Sequence, residues 1–140
     1  MTDDLKAKKE YLLSYKAIEK RIQQIEDDIH RMRIEASGAK AIQYSDMPKG
    51  STNLQSPQET YMLALDQAIG RSLQLKAEYI SKKEEIKRAI HKLGNADMES
   101  LLEYKYIDSM TIRQISEKMG YERTQLYRIH DKAMEKLKIN

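Results

Sequence analysis

The chain has 140 residues, 40% hydrophobic and 34% charged, which excludes a large multidomain enzyme and fits one ordinary domain or two small modules. Cysteine, tryptophan and phenylalanine are absent and all nine aromatic residues are tyrosine, so disulfides, thiolate chemistry and cysteine-bound zinc are excluded, while abundant Ala, Leu, Ile, Lys, Glu, Gln and Met favour an all-α protein. The net charge of +3, from 25 basic and 22 acidic residues, neither demands nor forbids a polyanionic partner.

The opening Met1-Thr2-Asp3-Asp4 is acidic and carries no apolar signal core. No apolar run approaches the roughly 18 residues that a membrane span needs, so a cytoplasmic protein with no membrane partner is expected. Apolar residues then fall at Tyr11, Tyr15, Ile18, Ile22, Ile25, Ile29, Met32 and Ala36 in alternating steps of four and three. This is a coiled-coil-like seam and predicts a helix from about Asp3 to Ala36, roughly 50 Å long. Such a helix needs a partner surface, either a second helix of the same chain or another copy.

Ser37-Gly38 ends the periodicity, and a stretch rich in Pro, Gly, Ser and Asn reads as a loop over about residues 37–56. Within it, Asp46, Met47, Pro48, Lys49 and Gly50 form either a plain turn or a functional loop of unassigned role. Ser56 and Pro57 are suited to cap and open a second long helix from about Pro57 to Leu93. Its stripe runs through Met62, Leu65, Ile69, Tyr79, Ile86, Ile90 and Leu93, interrupted by Ser72, Lys76 and Lys83. Leu73, Leu75 and Ile80 widen the apolar face, predicting packing on more than one neighbour. The simplest arrangement for residues 1–93 is a long antiparallel helical hairpin.

Gly94-Asn95 supplies a stop and a cap for a short helix carrying Met98, Leu101, Leu102 and Tyr106, broken at Asp108-Ser109. Thr111 and Gln114 have capping-box spacing, and the helix they open ends at Gly120 before a last helix from about Glu122 to Lys138. Ile115, Met119, Leu126 and Ile129 can close these two helices on each other across a Gly120 turn. This is a helix-turn-helix pattern, and it makes residues 94–140 a candidate DNA-binding module.

The outer face at the start of the last helix would present Arg123, Thr124, Gln125, Tyr127 and Arg128. Arginine can read guanine edges bidentately and glutamine can read adenine. Thr111, Arg113, Lys118, Lys132 and Lys136 suit phosphate contacts, which position without specifying. The charge distribution agrees: from Thr111 onward seven Lys or Arg stand against four Asp or Glu, and from Lys82 to Lys92 five against two.

Thr111 to Leu137 resembles the DNA-binding region four of bacterial sigma factors. Gly120, Arg123, Leu126, Ile129, Lys132, Ala133, Lys136 and Leu137 match it, and Leu101 to Ile107 resemble its lead-in helix. Glu122 departs from it, standing where a Ser or Thr cap is usual, and Thr124, Tyr127 and Arg128 also differ from the usual residues. The whole chain, with its long helices, its Asp46-Gly50 loop and this terminal module, is similar to phage and prophage late-gene activators of the RinA and ArpU type. The resemblance implies a sequence-specific, nucleoid-associated regulator of transcription in a bacterial cell. Double-stranded DNA would be its partner, with possible contacts to RNA polymerase or a second copy through the long helices. A small-terminase-like packaging subunit and a protein-binding adaptor are the alternatives.

Enzymatic readings find no support in the motifs. His30, His91 and His130 are dispersed, lack metal-ligand spacing and read as helix-surface residues. Asp27-Asp28 and Glu84-Glu85 are adjacent pairs that do not converge on one site. No phosphate-cradling glycine loop occurs, and no metal or cofactor is expected.

Overall fold

The computed structural model describes residues 2–38 and 56–139. The Asp46-Gly50 loop therefore lies outside the described residues. The protein is all-α, with no strand among the described residues. Its elements are α1 (Thr2–Leu13), α2 (Tyr15–Ser37), α3 (Pro57–His91), α4 (Ala96–Leu102), a π-helical segment (Glu103–Ile107), α5 (Ile112–Met119) and α6 (Arg123–Lys136).

The helix expected from Asp3 to Ala36 is interrupted. The Ser14 hydroxyl donates to the Tyr11 carbonyl at 2.6 Å, and the Ser14 amide to the same oxygen at 3.1 Å, so a turn separates α1 from α2. A serine that bonds back to the preceding turn competes with the helical ladder. The start of α3 follows expectation: Ser56 Oγ accepts from the Glu59 amide at 3.1 Å, and Glu59 Oε1 accepts from the Ser56 amide at 3.3 Å.

By its contacts the chain divides into two compact units, residues 1–17 with 79–140 and residues 18–78, so the division falls inside α2 and α3. The boundary expected at residue 93 falls inside the first of these. In the unit of residues 18–78, Ile25, Ile29 and Met32 of α2 pack with Tyr61, Leu65, Ala68 and Ile69 of α3. Lys76 pairs with Glu26 at 2.9 Å. On α3 this contact buries Leu65, Ala68 and Ser72, while Met62 and Leu73 are 51% and 62% exposed. Ile80 is exposed as well, so neither it nor Leu73 packs on another described element of this chain.

In the other unit, Leu12 of α1 and Tyr15 of α2 form one core with Ile86 and Ile90 of α3, Leu102 and Tyr106, and Ala133, Met134 and Leu137. Lys83, which interrupts the apolar stripe, is accommodated here by its chemistry. Its Nζ donates to the Tyr79 hydroxyl at 3.0 Å and lies 5.4 Å and 5.1 Å from the ring centres of Tyr15 and Tyr79. The ammonium thus meets two π faces while its stem lines the seam.

Candidate nucleic-acid interface

The site is built on local signals that act in sequence. After α3, Gly94 takes a left-handed φ of 73°, and Asn95 Oδ1 accepts from the Met98 amide at 3.1 Å, opening α4. The π-helical segment then ends at Asp108, and Ser109 adopts a φ of 56°. At Thr111 the capping box is complete: Oγ1 accepts from the Gln114 amide at 3.2 Å, and Gln114 Oε1 from the Thr111 amide at 2.9 Å. α5 ends at Gly120, whose φ of 79° is what favours glycine there, because a Cβ would meet nothing within 4 Å.

The turn into α6 is pinned from two sides. Ser116 Oγ donates to the Tyr121 carbonyl at 2.6 Å, and the Tyr121 hydroxyl donates to Asp97 Oδ2 at 2.6 Å. The Asp97 carboxylate raises the Tyr121 phenol above its ordinary pKa, by hydrogen bond first and charge second. Beneath the turn, Leu101, Ile115 and Leu126 are fully buried together, with Met119, Tyr121 and Ile129 packed around them. Their burial fixes which side of α6 faces inward.

Leu126, His130, Ala133 and Met134 form that inward stripe. Arg123, Thr124, Gln125, Tyr127 and Arg128 are all exposed, Tyr127 at 52%. At about 100° per residue Thr124 and Arg128 lie opposite the stripe and Gln125 and Tyr127 lie beside it, whereas Arg123, three residues before Leu126 and seven before His130, is exposed in the first turn on the stripe's own side. Among the described residues, no side-chain hydrogen bond or ion pair engages these five. An open depression is lined by Glu122, Thr124, Gln125, Arg128, Ile129 and Lys132, and so brings together three of the five expected base-reading residues but not Arg123 or Tyr127. Glu122 and Ile129 belong to this surface but were not among the expected contacts. Glu122 does not use its carboxylate as a cap for α6, so that charge stays at the rim of the depression.

The expected phosphate contacts separate into two groups. Arg113, Lys118 and Lys132 are exposed. Arg113 makes only a long 3.9 Å pair with Glu117, and Lys118 lies 5.9 Å from the Tyr104 ring centre. Thr111 and Lys136 instead have structural tasks: the Thr111 hydroxyl caps α5, and Lys136 Nζ donates to the Leu93 carbonyl at 3.2 Å, at the end of α3.

His130 is a correction to the surface reading of the three histidines, because only 7% of it is exposed. Its place was readable: it follows Leu126 by four residues and precedes Ala133 by three, on the buried stripe of a 3.6-residue helix. His30 and His91 are exposed, and His91 Nε2 lies 2.6 Å from Glu103 Oε1. Among the described residues, no group of three or more His, Asp or Glu side chains comes together as metal ligands would. No helix among them is long and apolar enough to cross a membrane.

The chain belongs to the family described as "Protein of unknown function (DUF1492)", whose model matches residues 50–138 and so includes α3 to α6. Comparison with curated proteins and with solved structures returns no match.

Proposed function

We propose that the chain is a sequence-specific, double-stranded-DNA-binding regulator of transcription, of phage or prophage type, that activates late genes. The observation carrying this reading is the division of α6 into two sides. One is anchored by Leu126, His130, Ala133 and Met134, and the other offers Thr124, Gln125 and Arg128, with Arg123 in the first turn and Tyr127 beside them, all five exposed and without side-chain partners. A single helix with such a face fits the major groove, where Arg pairs with guanine O6 and N7 and Gln with adenine N6 and N7. Arg113, Lys118 and Lys132 would hold phosphates on either side. The resemblance of residues 111–137 to the promoter-reading region of sigma factors supports the same reading.

In the unit of residues 18–78, Ile34, Met62, Leu63 and Leu73 are exposed. Apolar side chains in that number support a role as an interaction arm, for RNA polymerase or a second copy. The test of DNA binding is a salt titration of duplex affinity. Binding is expected to weaken steeply with salt, and Lys132→Ala to reduce the logarithmic slope by about one. Affinity that is absent, or that does not respond to salt, would favour a protein partner instead.

A further inference from the structure

We propose that Lys8 and Tyr15 are positioning residues for the reading helix α6, so that the N-terminal helix is part of the DNA-recognition unit. This rests on the reading of α6 given above. Both residues lie outside the segment matched by the family model, which begins at residue 50.

Lys8 is only 8% exposed, an unusual place for an ammonium group unless it is fully partnered. Its partners are main-chain oxygens at the far end of α6: Nζ donates to the Met134 carbonyl at 2.7 Å and the Glu135 carbonyl at 3.3 Å. Asp4 lies 3.3 Å away on the same helix as Lys8 and balances the charge. The last carbonyls of a helix have no partner within it and carry the negative end of its dipole, so a cation there satisfies both.

Tyr15 provides the second anchor. Its hydroxyl donates to the carbonyls of Tyr106 and Ile107, at 2.6 Å and 3.1 Å, at the end of the π-helical segment. The side chain of Tyr106 in turn meets His130 in the middle of α6 at 2.7 Å. α6 is therefore held from the N-terminal segment at two heights, directly at Met134 and Glu135 and through Tyr106 at His130.

A helix pinned at two points keeps one tilt. From Glu135 to Thr124 the lever is about 16 Å, so a tilt of about 4° displaces the reading end by roughly 1 Å. Bidentate base contacts fail at that displacement, whereas flexible lysines still reach phosphates. Loss of either anchor should therefore lower selectivity and leave non-specific affinity intact.

The experiment uses the full chain with Lys8→Met, Tyr15→Phe and, as the conservative rescue, Lys8→Arg, each checked for helix content. Amide hydrogen exchange over residues 126–138 is measured without DNA. The affinity ratio between a duplex selected by the wild type and its scrambled counterpart is measured with DNA. Lys8→Met and Tyr15→Phe should speed exchange in α6 and lower the ratio about tenfold, with the scrambled duplex bound as before. Lys8→Arg should restore both. Wild-type exchange and ratio in both variants, or equal losses on the two duplexes, would overturn the positioning role alone. A wild-type ratio near one would overturn the DNA reading of α6, and the positioning role with it.

Discussion

The Tyr106 hydroxyl stands 2.7 Å from Nε2 of His130, and the two rings stack with centroids 5.8 Å apart. Burial first, then the charges of Lys105 and Lys9, hold the His130 imidazole below its ordinary pKa of 6.5, against an opposing pull from Asp131. The Asp131 carboxylate lies 3.6 Å from Nδ1. Burial also pushes the Tyr106 phenol up to about 12. The folded state thus pairs a neutral imidazole with a neutral phenol across this hydrogen bond.

This pair makes stability depend on pH with a definite sign. The unfolded chain takes up the histidine proton near pH 6.5 and the folded chain only at lower pH. The stabilisation is therefore fully present above about pH 6.5 and is lost as pH falls from there through the folded pKa. Urea midpoints should decline over that window in the wild type, and His130→Gln should flatten the decline. An equally steep decline in the variant would place the titration elsewhere.

Leu126 and Tyr127 are chain neighbours about 100° apart on one helix, the first buried and the second exposed, and their substitutions should separate folding from binding. Leu126 is fully buried, so Leu126→Ala should cost about 2–5 kcal/mol of unfolding free energy. Tyr127→Ala should stay within about 0.5 kcal/mol of wild-type stability while weakening duplex binding several-fold. Denaturant unfolding and anisotropy titrations of the two variants check both halves.

Much of this site was legible because its signals are local. Ser56, Asn95, Thr111 and Gly120 each act on backbone groups three or four residues away, and all four cap or end the helix expected of them. The Ser14 break was hidden, because the apolar steps through Tyr11, Tyr15 and Ile18 continue straight across it. Lys8 and Tyr15 were out of reach for another reason. Their partners lie 126 and 91 residues away, and a contact of that range leaves no spacing to read. Lys136 shows the converse, since a cation near a helix end suits a phosphate or a carbonyl equally well, and here it meets the carbonyl of Leu93.

Glu122 offers a test in the opposite direction from the usual alanine replacement. It precedes α6 without its carboxylate capping it and lines the depression with Thr124, Gln125 and Arg128. Glu122→Ser should gain about 1 kcal/mol of stability through a new cap. It should also raise affinity for all duplexes by a similar factor, since a carboxylate facing phosphates is removed. Thermal unfolding and salt-matched binding to two unrelated duplexes measure the two effects. Weaker binding to both would count against phosphate approach at this end of α6.

The central claim is that the exposed side of α6 reads a DNA sequence. It is tested most directly by selecting bound fragments of the source genome at about 0.15 M salt, with wild type and Arg123→Ala/Arg128→Ala side by side. The account predicts that the wild type enriches one motif and that the double variant loses it while keeping its fold and its salt-sensitive, non-specific binding. No enrichment by the folded wild type, or the same motif enriched by the double variant, would contradict it.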